Sequence, residues 1–186
     1  MVEKLFEEIS NLPQVEAIAL GGSRAGENFD EKSDYDVYLY CTASIADEVR
    51  KNIFEKYCSY IELGNHFWEL EDNCTLKNGI DIDILYRNIG DFGSDVASVV
   101  EGFNARTGYT TCMWHNLITC KIIYDEKGNL KALKDRFSVP YPQELKKNII
   151  EKNMSLLSGM LPSYDSQILK AVKRGDLVSV NHRTSA

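Results

Sequence analysis

The sequence predicts a mixed α/β fold, a short mixed β-sheet flanked by helices, with a C-terminal helical appendage. Segments of helical and strand period alternate through residues 1–138, short apolar runs end at glycines or turn clusters, and beyond Pro140 only the helical period remains. A chain of 186 residues with 44% hydrophobic content can bury one core, so the expected layout is one domain over 1–138 and an incomplete helical domain over 139–186.

Each element has its own signal. In VEKLFEEISNLP, Val2, Leu5, Phe6, Ile9 and Leu12 recur at helical spacing until Pro13. VEAIAL reads as a short buried strand that stops at Gly21-Gly22, and DYDVYLYC alternates as a second strand after a turn-rich connection. Ile45, Val49, Ile53 and Phe54 predict a helix from about Ser44, its N-cap, to Tyr57. NHFWELED and GIDIDILYR are strand-like and separated by NCTLKN; SDVASVVEGFNAR is helical, WHNLITCKIIYD mixes both signals, and DEKGN is a turn. PQELKKNIIEKNMSLLSGM and SYDSQILKAVKRGD, each preceded by a proline, are helices. At the end, Asp176 is an N-cap for an apolar face begun by Leu177, Val178 and Val180, with no closing glycine or proline. That helix reads as cut short, and exposed apolar surface there would favour a homodimer or another protein partner.

Composition excludes several classes. Lysine and arginine total 21 against 28 acids, a net charge of -7 without long blocks, which argues against a nucleic-acid partner. The 5 cysteines form no CxxC or Cys/His pairing and are expected to be reduced thiols of a cytoplasmic protein. The acidic N-terminus is no signal peptide, and no apolar run approaches the ~20 residues of a membrane span.

The chemistry concentrates in LGGSRAGENFDEKSDYDVYLY. Side chains alternate along a strand, so Asp34 and Asp36 share one face while Val37 and Leu39 take the opposite, core side. Adjacent carboxylates repel, and a pair on a rigid strand points to a divalent cation, for which hard oxygen donors favour Mg²⁺. Glycines after a buried strand allow a tight turn whose N–H groups can hold phosphate, with the Ser23 hydroxyl adding a donor. A third carboxylate is expected from GIDIDILYR; Asp83, deeper in the apolar run, is favoured, and Asp81 competes because it lies on the same face. The structural alternatives are a plain turn capped by Ser23, a solvated acidic face, and an outward Asp83. A calcium loop fails for want of the required glycine and downstream glutamate.

Gly22-Ser23, ten residues, Asp34-x-Asp36 and a later apolar-Asp-apolar strand resemble the DNA polymerase beta-type nucleotidyltransferase superfamily. The two-part layout, with IIYDEKGNL leading to a helical tail, is similar to kanamycin-type and lincosamide-type antibiotic nucleotidyltransferases; the resemblance is close over 20–87 and loose elsewhere. It implies the nucleotidyltransferase fold, with Gly22, Ser23 and Arg24 at the triphosphate of an NTP co-substrate. It further implies that Asp34 and Asp36 bind two Mg²⁺ ions, and that Asp83 completes the metal set and activates an acceptor hydroxyl. The implied reaction transfers an NMP group to a small molecule or protein and releases pyrophosphate. Two other classes compete: an antitoxin-like interaction protein of the same fold, and a nucleotide-binding regulatory domain without turnover.

Other residues carry two readings. Arg24 and Arg87 suit phosphates or structural ion pairs with Glu27 or Asp81. His66, Trp68 and Trp114 suit a pocket or packing, and His115 and the charged face of LKKNIIEK are expected to be structural.

Overall fold

The computed structural model describes residues 2–26, 29–158 and 163–185. Helix α1 (Val2–Ser10) buries Val2, Leu5, Phe6 and Ile9 as one stripe. It leads to β1 (Val15–Leu20), and a 3₁₀ turn over Ser23–Ala25 begins the connection to β2 (Tyr35–Cys41). Then follow α2 (Asp47–Tyr57), β3 (Cys58–Asn65), β4 (Glu71–Leu76), β5 (Asp81–Arg87), α3 (Ile89–Val100), α4 (Cys112–Thr119), β6 (Lys121–Asp125), α5 (Asn129–Phe137), α6 (Gln143–Leu157), α7 (Tyr164–Arg174) and α8 (Leu177–Ser185). The mixed α/β class expected from the sequence is the one observed.

The strands form one sheet in the order β3-β4-β5-β2-β1-β6. β2 and β5 run parallel, and their neighbours pair antiparallel. One face is the main core: Ile18 and Leu20 of β1, Val37 and Leu39 of β2, and Ile82 and Ile84 of β5 cluster with α1 and with Ile53 and Phe54 of α2. On the other face Tyr40 meets Phe92 of α3 edge-on, with ring centroids 5.7 Å apart. Register shifts interrupt β3 at Cys58/Tyr60 and Glu62/Asn65, and β1 opposite β6 at Ile18/Ala19.

The chain divides into two compact units, 1–97 with 113–139, and 98–112 with 140–186. In the second, Leu145 of α6 is fully buried and Asn148 Nδ2 donates to the Phe103 carbonyl at 2.9 Å. Asp176 caps α8 by accepting the Ser179 N–H at 3.0 Å. Gly159, Met160 and Pro162, part of the expected helical punctuation, lie outside the described residues. Among the described residues no helix is long and apolar enough to cross a membrane.

Three elements differ from the sequence reading. α2 starts at Asp47, and its N-cap is Ala46 rather than Ser44, because Ile45 is delivered into the core from extended chain before the helix begins. NHFWELED is largely the turn between β3 and β4, where Phe67 and Trp68 are exposed, and the strand lies earlier, at β3. α2 runs straight into β3 with no glycine or proline between, which hides the change of period. The α2 C-terminus is held from outside, by Lys77 Nζ donating to the carbonyls of Glu55 (3.1 Å) and Lys56 (2.6 Å). α5 carries helical spacing that the turn signal before it concealed.

A buried ionic network fixes α2 against the sheet. Asp72 of β4 is fully buried and accepts from Arg50 of α2, from the Tyr86 hydroxyl at 2.6 Å and from the Gly64 N–H at 2.9 Å. Arg50 also reaches Asp47, 2.6 Å away, whose side chain is 77% exposed. A buried carboxylate is tolerable only with such donors, and removing one partner strands the other charge in the core. Asp72→Ala is accordingly expected to destabilise the fold by about 3–5 kcal/mol in urea unfolding, and Asp47→Ala by under about 1 kcal/mol. Equal effects would show that Asp72 is not the anchor of α2.

Candidate active site

The site begins where β1 ends. Gly22 sits at φ 53°, a left-handed backbone that favours glycine, and a Cβ there would come within 1.8 Å of Asp36 Oδ2. The Gly21 N–H donates to the Asp36 carbonyl at 2.8 Å, so the glycine pair lies directly against the start of β2. A positive φ and a close approach to a carboxylate both disfavour a side chain at 22, which could be added only by straining the backbone and moving Asp36. Ser23 is exposed on the turn, its hydroxyl without a partner among the described residues.

β2 then sets the carboxylates. Val37 and Leu39 enter the core cluster, so Asp36 faces the opposite side of the sheet, and Asp34 lies exposed just ahead of the strand. In the parallel register Asp36 pairs with Asp83 of β5. Burial, and then the charges of Asp34 and Asp83, push the Asp36 carboxyl above the usual aspartate range. Asp81 lies exposed at the outer end of β5 and accepts from the Thr75 hydroxyl at 2.8 Å. The structure thus brings Asp83, not Asp81, beside Asp36.

Two asparagines that the sequence reading missed complete this surface. Asn73 of β4 is the register partner of Asp83 and donates from Nδ2 to its Oδ1 at 2.6 Å; Asn65, the last residue of β3, donates to Asn73 Oδ1. A signal for Asn73 was present in the sequence. Asn78-Gly79 is a hairpin turn, and counting back from Leu76, whose N–H meets the Ile80 carbonyl at 2.8 Å, puts Asn73 opposite Asp83.

The arginines have structural partners. Arg24 donates from Nε to the carbonyls of Ser33 (2.8 Å) and Asp34 (3.0 Å), with its guanidinium 3.9 Å from the Tyr35 ring centroid. It ties the turn to the approach to β2 and steadies Asp34. Glu27, its expected ion-pair partner, lies outside the described residues. Arg87 is buried, makes a two-pronged bond to Glu69 at 2.6 and 3.0 Å, and stacks on Tyr38 and Phe92, so its partner is Glu69 rather than Asp81. Trp114 is buried with Nε1 donating to the Phe137 carbonyl at 2.8 Å, while His66, Trp68 and His115 are exposed.

Among the described residues no three His, Cys, Asp or Glu side chains converge closely enough to hold a metal ion as they stand. On this surface Asp36 feels the charges of Asp34 and Asp83, and Asp83 Oδ1 accepts from Asn73 of β4. In donor type and sign the set suits a hard divalent cation, whose charge would remove the repulsion.

No family model matches the chain, and no curated relative does. Among solved structures the chain is similar to a toxin-antitoxin protein crystallised with AMP-PNP, at 11% identity and TM-score 0.43, over 84% of this chain and 96% of that one. It is also similar to a nucleotidyltransferase-like protein from Exiguobacterium sibiricum, at 10% identity and TM-score 0.45, over 98% of this chain. The match spans about half, 52%, of the Exiguobacterium protein.

The raised Asp36 carboxyl gives stability a definite pH dependence. On raising pH, the unfolded chain loses this proton first, near the ordinary value of about 3.9, and stability falls until Asp36 has ionised in the folded protein. Asp36→Asn is therefore expected to raise the urea midpoint of metal-free protein at about pH 7 and leave it unchanged at about pH 3. A lower midpoint for the variant at neutral pH would mean that the carboxylate is favourably held.

Proposed function

We propose that the protein is a metal-dependent nucleotidyltransferase that moves a nucleoside monophosphate from an NTP to a hydroxyl of a small molecule or protein, releasing pyrophosphate. The observation that carries this reading is the β2–β5 register, which sets Asp36 beside Asp83 with Asp34 close enough to perturb it. A half-buried Asp36 that feels the charges of both Asp34 and Asp83 is a cost to the fold, and such a cost is more common at functional sites than elsewhere.

In this reading Asp34, Asp36 and Asp83 are the Mg²⁺ ligands, and two ions are expected. Bound there, the metal would supply charge neutralisation to the carboxylates and to the phosphoryl oxygens. The Gly22-Ser23 turn, lying against Asp36, offers the triphosphate backbone N–H groups and the Ser23 hydroxyl. Arg24 serves indirectly, by holding the chain that presents Asp34. Asp83 accepts the proton of the acceptor hydroxyl as its oxygen bonds to the α-phosphorus, and the bond from that phosphorus to pyrophosphate breaks. Exposed Leu169, Val172, Leu177 and Val178 in the second unit support a protein partner or a second copy of the chain. A cytoplasmic setting fits the free thiols.

A second reading, nucleotide binding without turnover, is favoured by one observation: Asp83 is engaged by Asn73 and no three acids converge. Labelled NTPs with Mg²⁺, screened against aminoglycosides, lincosamides and cell lysate, separate the two. Label transfer is expected, abolished by Asp36→Asn and by Asp83→Asn, and retained in Asp81→Asn. Mg²⁺-dependent NTP binding with no transfer to any acceptor would favour the second reading, and the absence of such binding would sink both.

A further inference from the structure

We infer that Asn65 and Asn73 form a two-residue relay that positions Asp83, with Asn73 the positioning residue and Asn65 the group that fixes how its amide faces. The inference rests on the proposed role of Asp83 as a metal ligand and proton acceptor, and extends it to residues that no sequence motif marks.

The direction of the relay follows from chemistry. An ionised carboxylate only accepts hydrogen bonds, so the amide of Asn73 must turn its NH₂ to Asp83 Oδ1, as it does at 2.6 Å. That orientation leaves Asn73 Oδ1 on the other side, where Asn65 meets it with its own NH₂. The three side chains lie on three successive strands, β3, β4 and β5, so the relay runs across the sheet, diagonally from Asn65, whose register partner is Glu71, and directly from Asn73 to its partner Asp83. Both asparagines are half-buried. Asparagine is depleted in strands, and two of them joined side chain to side chain have no packing rationale; as links in a donor chain ending on a carboxylate they have one.

Asp83 Oδ2 accepts no hydrogen bond from the described residues. The relay therefore occupies one oxygen and leaves the other for metal or acceptor. Groups that orient a metal-binding carboxylate in this way change metal affinity or activity by about 10–100-fold when removed.

The test uses the full chain and near-isosteric leucine variants, with Mg²⁺-dependent binding of a nonhydrolysable NTP read by calorimetry, and thermal unfolding to show that each variant is folded. Asn73→Leu is expected to weaken binding about 10-fold and Asn65→Leu about 3-fold, and the double variant should be no weaker than Asn73→Leu alone, because the two act in series. In an Asp83→Asn background, Asn73→Leu should add nothing. A folded Asn73→Leu protein with unchanged affinity overturns the relay, as does an equal loss from Asn73→Leu with and without Asp83, since a merely structural role does not depend on Asp83. If the unsubstituted protein shows no Mg²⁺-dependent NTP binding, the functional reading itself fails and the relay falls with it, which is a different result from binding that is indifferent to Asn73.

Discussion

The parallel pairing of β2 with β5 is the constraint on which the rest depends. Parallel neighbours cannot be joined by a hairpin, so everything from the end of β2 to the start of β5, namely α2, β3 and β4, is a crossover. A one-residue slip of β5 would put an isoleucine opposite Asp36 and send Asp83 into the core. The fully buried Asp72, with Arg50 and Tyr86, fastens the helix of that crossover to its strands, and Lys77 clasps the helix end. Site geometry is thus fixed by an ionic network on the opposite side of the sheet from the aspartates.

Those aspartates work against the fold that presents them. Asp36 is half-buried, lies among like charges and presses against Gly22, where a side chain would have to displace it. Local conflict of this kind, surrounded by a well-packed sheet, is a place where the fold departs from its own stability optimum. Asn73 relieves part of the conflict by giving Asp83 a donor.

Much of this was legible in the sequence, and the exceptions share a cause. α1, β1, β2 and β5 announce themselves because their apolar residues keep one period and end at proline, glycine or turn residues. The helix-to-strand change at Tyr57/Cys58 has no such punctuation, and the aromatic run at Phe67-Trp68 mimics a buried strand while standing in solvent. Asp34 and Asp36 stand out by their spacing of two after a glycine turn, and Asp83 as an acid among buried isoleucines. Asn65, Arg50 and Asp72 could not, because their roles come from partners 8 to 22 positions away that only the pairing of strands and helices brings together, and Asn73 could be placed only through the register of the Asn78-Gly79 hairpin. Arg24 and Arg87 were ambiguous for the same reason: an arginine's partner is a matter of tertiary placement.

The register shifts along β3 and opposite β6 have a consequence for how the molecule meets others. These two strands form the margins of the sheet, and each pairs irregularly with its inner neighbour, while Glu62 and Lys121 put exposed charges on them. Neither margin offers a long, flat row of free amides and carbonyls that a foreign strand can copy. Both margins are thus blunted against growth of the sheet by templating, which leaves side chains and helices as the more favourable surfaces for association with another chain.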